Sequence, residues 1–211
     1  MIICIIGKAR HGKDTAVDVM ERVIKEEYDL QVNRLALAHP LKLEALKYLG
    51  LDTIEELDYY KNKNIPVCGI NVRSLLQQLG DTNTIRDKHH YCNLIMDKIH
   101  SIPSDTVTII SDVRLLHEHK YFRKLSNVVF VKVHRNILLE NDVHNEHPSE
   151  GDVTNMSADY YIHNKELDKY KASVAYITNV IMNSYLNHRR VVMNPSIPEE
   201  VYSMFNKSSY L

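Results

Sequence analysis

The 211-residue chain has no tryptophan, only three cysteines, six glycines and six prolines, and charges that almost cancel. Each shortage excludes something. Cys4, Cys68 and Cys92 have no metal-site spacing, so they read as reduced thiols of a cytoplasmic protein. A formal net charge of −1 provides no whole-chain field for nucleic acid. The first apolar run, Ile2 to Ile6, is too short to cross a membrane and flows straight into a polar loop, so it reads neither as a span nor as a signal peptide. No internal repeat and no low-complexity tract is present. What is there, 44% apolar and 25% charged residues, suits one α/β domain with room for a small lid or insertion.

The most informative stretch is residues 2–15. The apolar run ends in Gly7, and Gly12-Lys13 opens a segment in which Val17, Met20, Val23 and Ile24 recur on one helical face. Strand, glycine loop and helix form the context of a phosphate-binding loop over Gly7, Lys8, Ala9, Arg10, His11, Gly12, Lys13, Asp14 and Thr15. Glycine is needed where φ turns positive or where a Cβ would strike phosphate. The helix then points its open N–H groups at the anion, and Lys13 adds a point charge. The residue after the lysine is Asp14 rather than a hydroxyl, and Thr15 comes one step later. Asp14 can hold Mg²⁺ directly, hold it through water, or orient the attacking substrate. The plainer reading is an acid in the first turn of a helix, where the dipole favours it.

Downstream segments complete the alternation. Strands are expected over 32–38, 106–110, 128–133 and 160–162. Helices are expected over 41–49, over 72–79 (stopped by Gly80), over 89–99, over 115–125 and over 167–185. Residues 51–70 read as a short helix plus loop, and 136–157 as a mobile loop or lid. Strands separated by helices, with the loop after the first, imply a parallel sheet with helices on both faces. Ligands of such sheets lie beyond the carboxyl ends of the strands. That lines up residues 7–15, 38–42, 112–114 and the segment after Arg135 along one rim.

Along that rim, Asp112-Val113-Arg114 can hold Mg²⁺ through water, accept from a hydroxyl and fork a guanidinium onto phosphate. Its plainer reading is a helix cap and a surface Arg paired with Glu118. Arg73 and Gln77 stand one helical turn apart, ahead of Gly80. They offer a monophosphate clamp or simply a solvated polar face. Lys42 is a further phosphate candidate, and Tyr91 follows the clamp. His117-Glu118-His119 and His144-x-x-His147 lack zinc spacing and convergent ligands.

Four blocks, residues 7–15, 72–80, 111–114 with Glu118, and 147–150, resemble in order the deoxynucleoside monophosphate kinases of tailed bacteriophages. The resemblance implies a nucleoside monophosphate kinase-like P-loop fold over 1–186, with an acceptor region about 39–100, a lid about 136–157 and a tail over 187–211. It implies transfer from ATP, with Mg²⁺, to a deoxynucleoside monophosphate (dNMP), with no nucleic-acid or membrane partner, by a monomer or homodimer. Residues 7–15 and Arg135 would bind ATP, and Asp14, Thr15 and Asp112 the Mg²⁺. Lys42, Arg73, Gln77, Gly80, Arg86, Tyr91, Asp112, Arg114 and Glu118 would bind the dNMP, with Lys13, Asp14, Asp112 and Arg114 catalytic. The chain departs from the family at His11, Ser74, Asp81 and Tyr91, where Ser, a basic residue, Thr and Trp are common. A dephospho-coenzyme A or phosphomevalonate type of kinase, and a nucleotide-binding module without turnover, are the competing readings.

Overall fold

A computed structural model describes residues 1–61, 69, 71–135 and 148–193, with backbone alone for 148–150 and 189–193. Five strands, β1 (Ile2–Ile6), β2 (Val32–Leu35), β3 (Val107–Val113), β4 (Val128–His134) and β5 (Tyr160–His163), form one sheet in the order β2-β3-β1-β4-β5. Every pairing is parallel. β1 is central because it is buried on both faces: all five of its residues are inaccessible or nearly so.

Its alternating side chains seed two cores. Ile3 and Ile5 join Val17, Met20 and Ile24 of α1 (Lys13–Tyr28) and Val174, Ile181 and Met182 of α8 (Leu167–Met193). Ile2, Cys4 and Ile6 face the other way. They pack with Ile95 of α5 (His90–His100), Phe122 of α6 (Leu116–Phe122) and Val153 of α7 (Pro148–Asn155). The sheet is thus covered on both sides, which is the α/β architecture of P-loop kinases. A third cluster, Ala45, Leu46, Leu57 and Val72, binds α2 (Ala38–Leu49), α3 (Ile54–Tyr60) and α4 (Val72–Arg86) into a satellite lobe.

Several boundaries differ from expectation. β2 stops at Leu35 and α2 already begins at Ala38, with Pro40 in its first turn, where a missing N–H costs nothing. α4 does not stop at Gly80 but continues to Arg86. A Cβ at Gly80 would only reach ordinary contact with Leu41 of α2. The roughly 1 kcal/mol propensity cost of a mid-helix glycine is too small to break a helix packed along its length. β3 runs on through Ser111 and Asp112 to Val113. α6 is shorter than expected and α8 longer, reaching Met193 into the expected tail. Of the segment expected as a lid, 148–155 is helical, while 136–147 lies outside the described residues, as do Cys68, His144, His147 and 194–211. Among the described residues no helix is long and apolar enough to cross a membrane.

Candidate active site

β1 delivers Gly7 to the carboxyl edge of the sheet, and a tertiary neighbour explains the glycine. A Cβ there would stand 2.8 Å from the Val133 carbonyl oxygen of β4 and 3.3 Å from Lys13 Cγ. Gly12 is needed for a different reason, its φ of 99°. A Cβ on Gly12 would also come within 2.5 Å of Asn164 Nδ2. Arg10 takes φ 61° in the same loop, a left-handed conformation uncommon outside glycine. Gly12 is the N-cap of α1 and has no side chain to satisfy the first N–H groups, so they remain available to an anion.

Lys13 is 7% exposed, and its Nζ donates to the Lys8 carbonyl at 2.8 Å, folding the loop around its own ammonium. The Arg135 N–H donates to His11 Nδ1 at 3.3 Å, tying the loop to the end of β4. From the far end of the chain, Asn164 Nδ2 donates to the His11 carbonyl at 2.9 Å and Tyr170 Oη to the Gly12 carbonyl at 2.8 Å. Beside the loop opens a cavity of about 420 Å³ lined by Arg10, Gly12, Lys13, Asp14, Thr15, Arg135, Asn164, Lys165 and Leu167. Four cations against one carboxylate give it a positively charged lining.

A second cavity of about 360 Å³ lies between the start of α1 and the carboxyl ends of β2 and β3, lined by Asp14, Val17, Arg34, Ala36, His39, Lys98 and Ser111 among others. Burial, with Lys98 and Lys42 nearby, pushes the His39 imidazole below its ordinary pKa. Asp14 lines both cavities.

At the end of β3 and just past it, the carboxylates hold backbone N–H groups. Asp112 Oδ1 accepts from Leu37 N–H at 2.6 Å and Oδ2 from Ala38 N–H at 3.0 Å, so it caps α2 across the sheet edge. Glu118 Oε2 accepts from the backbone N–H groups of Arg114 and Leu115, both at 2.9 Å, and so closes the start of its own helix α6. Burial is the main cause that raises its pKa to about 7; those two N–H groups oppose the shift, Asp112 adds to it and the Arg114 guanidinium opposes it.

The cations converge instead. Lys61, at the end of α3, is half-buried, and burial lowers its pKa, helped by Lys42 of α2, Arg114 after β3 and Arg73 of α4 and opposed by Asp58. Lys42 Nζ donates to Asp58 Oδ2 at 2.7 Å. Gln77 is exposed on the same helix as Arg73. Gly80 is half-buried in the middle of α4, facing Leu41 of α2. Arg86 is exposed at the far end of α4. At about 1.5 Å per residue that puts it roughly 20 Å from Arg73, outside the cluster. Tyr91 belongs to a network in which Asn83 Nδ2 donates to Glu44 Oε2 (2.7 Å) and to Tyr91 Oη (2.8 Å), while Tyr91 Oη donates to Glu44 Oε2 (3.3 Å). Burial is the leading cause that pushes the Tyr91 phenol up to about 12.

Lys61, Asn164, Lys165 and Tyr170 are site residues the sequence reading missed. Lys61 borders an Asn/Lys-rich stretch that reads as solvated loop, and the other three follow β5, with no local motif to mark them. Of the histidines expected not to bind zinc, His119 is buried with Nε2 2.8 Å from the Ser157 carbonyl. Among the described residues no group of three or more His, Cys, Asp or Glu side chains is arranged to hold a metal.

Two shikimate kinase structures are among the solved structures to which the chain is similar. The one from Bacteroides thetaiotaomicron is 9% identical with a TM-score of 0.38, covering 87% of this chain and 98% of that one. The one from Aquifex aeolicus is 12% identical with a TM-score of 0.36, covering 85% and 98%. Likeness at that level carries no weight for function. No curated protein matches the chain. A sequence model of one family, described as "Deoxynucleotide monophosphate kinase", matches residues 31–174, well over half of the chain. The match begins after the glycine loop and takes in β2 to β5, the satellite lobe, the cation cluster and the Asp112–Arg114 turn. With that much of its sheet and rim inside the match, the chain belongs to the deoxynucleotide monophosphate kinase family.

Proposed function

We propose that this kinase seats the triphosphate of ATP on residues 7–15, with Arg135 and Lys165 alongside, and the phosphate of a dNMP among Lys42, Lys61, Arg73 and Arg114. The products are ADP and the deoxynucleoside diphosphate. Phosphoryl transfer asks a protein for positioning and charge neutralisation more than for covalent chemistry. The observation that carries the reading is the crowding of four cations, brought by α2, α3, α4 and the end of β3, around one half-buried position. Like charges so placed repel, and Asp58 is ion-paired with Lys42 among them. A phosphate dianion relieves that repulsion.

In this reading Lys13 leaves the Lys8 carbonyl for the terminal phosphates, and the open N–H groups of α1 hold the rest of the chain of phosphates. Asp14 lines both the donor cavity and the neighbouring one at the carboxyl ends of β2 and β3. Asp14 and Thr15 beside Lys13 also suit Mg²⁺, which keeps several waters and takes few protein ligands besides substrate phosphate. When bound, the ion would neutralise charge on the transferred group. Asp112, whose two oxygens already cap α2, keeps lone pairs that can reach such an ion through water. The satellite lobe of α2, α3 and α4 fits the acceptor-binding part of the domain, and the buried free thiols Cys4 and Cys92 suit a cytoplasmic enzyme.

The test is ADP release across the common dNMPs and NMPs, run beside dephospho-coenzyme A and phosphomevalonate. Transfer to one or more dNMPs is expected, with loss of about a hundredfold or more in Lys13→Ala at unchanged circular dichroism. Preference for either other acceptor, or full turnover by Lys13→Ala, refutes the assignment.

A further inference from the structure

The carbonyls of the glycine loop are held from behind by two side chains that lie more than a hundred and fifty residues along the chain. Asn164 follows β5 and is 8% exposed, and Tyr170 lies in the first turn of α8 and is 1% exposed. Their donors reach the carbonyls of His11 and Gly12, respectively. A trans peptide unit is planar, with its C=O and N–H pointing in opposite directions. Fixing the His11 carbonyl therefore fixes the Gly12 N–H, and fixing the Gly12 carbonyl fixes the Lys13 N–H. Both N–H groups are turned away from the clamp, and both residues line the donor cavity.

We infer that Asn164 and Tyr170 are positioning residues for the triphosphate, presetting the Gly12 and Lys13 amides by anchoring the carbonyls on the other side of those peptide planes. The Gly12 carbonyl also accepts from the Ala16 N–H at 3.0 Å, so Tyr170 adds a second anchor that sharpens its direction, whereas loss of the Asn164 donor lets the His11 carbonyl turn toward the anion and repel it. The inference rests on the reading that residues 7–15 seat a triphosphate.

Two further observations belong to the same device. The space a Cβ on Gly12 would take is filled by Asn164 Nδ2 at 2.5 Å and by the Tyr170 ring at 3.3 Å, so clamp and glycine fit only each other. The turn that carries the clamp also lines the cavity with Lys165 and Leu167. A purely structural role for the Tyr170 hydroxyl is not needed, because α8 already docks on α1 through Val174, Ile181 and Met182.

Full-length wild type, Asn164→Leu and Tyr170→Phe should be titrated with tripolyphosphate and with ATP by calorimetry, alongside steady-state kinetics. Asn164→Leu removes the donor at similar size without adding charge to the cavity that Asn164 itself lines, and Tyr170→Phe removes one hydroxyl. Each should weaken tripolyphosphate binding and raise the ATP KM about five- to tenfold, with the dNMP KM changed by less than about twofold. A merely structural contact would lower the thermal midpoint and leave the tripolyphosphate Kd of the folded protein unchanged. Unchanged Kd in Tyr170→Phe, which retains the packing even if Asn164→Leu fails to fold, overturns the inference. Failure of wild type to bind tripolyphosphate overturns the loop as the seat, and this inference with it.

Discussion

Replacing Glu118 by glutamine should stabilise the protein at high pH and leave it unchanged at low pH. The carboxylate is 8% exposed and burial raises its pKa to about 7, from an ordinary 4.5. Below about 4.5 it is protonated in both folded and unfolded chains and contributes no pH dependence. Between 4.5 and 7 the unfolded chain gives up its proton while the folded protein keeps it. The folded state then binds more protons, so stability falls as pH rises. Above 7 the whole cost of ionising a buried group is in place, about 3 kcal/mol at roughly 1.4 kcal/mol per pH unit. Glutamine keeps an oxygen that can accept from the Arg114 and Leu115 N–H groups and carries no charge to desolvate. Urea denaturation of wild type and Glu118→Gln at pH 5 and pH 8 isolates the effect, because every other titrating group is common to both. The variant should gain 1–3 kcal/mol relative to wild type on going from pH 5 to pH 8, by order of magnitude. An equal difference at both values, or a larger gain at pH 5 than at pH 8, refutes the reasoning.

Lys61→Ala should raise the dNMP KM about tenfold with little change in the ATP KM, whereas Arg86→Ala should change neither; initial-rate kinetics on both variants decide it. A large effect of Arg86→Ala would mean that the far end of α4 meets the substrate after all. Gly12→Ala should lose about 2 kcal/mol or more, since it sets an alanine at φ 99° and drives its Cβ into Asn164 and Tyr170. Chemical denaturation together with ATP titration checks this, and wild-type stability with intact ATP binding would contradict it.

Local pattern carried some of this fold and stopped where contacts take over. The recurrence of Val17, Met20, Val23 and Ile24 placed α1, because those residues bury one helical stripe against β1 whatever else happens. The β-branched runs placed β1, β3 and β4 for the same reason. Gly80 misled because glycine ends a helix only when the chain needs to turn there, and α2 instead packs α4 straight past it. Asp112 and Glu118 were found as rim acids, but their donors are backbone N–H groups of α2 and α6, which no side-chain motif announces. Arg86 was placed in the dNMP set with Arg73 through the family resemblance, and helix length separates the two.

By itself the sequence determined the class of the sheet, the glycine turn after β1 and the rim on which polar residues follow apolar strands. Those depend on periodicity and on glycine and lysine at short range, which a linear chain displays directly. Only the tertiary structure decided which cations gather around Lys61, why Gly7 admits no side chain, and that Asn164 and Tyr170 hold the loop from behind. Each of these is a meeting of residues far apart in the chain, and no local spacing encodes a distance across the fold.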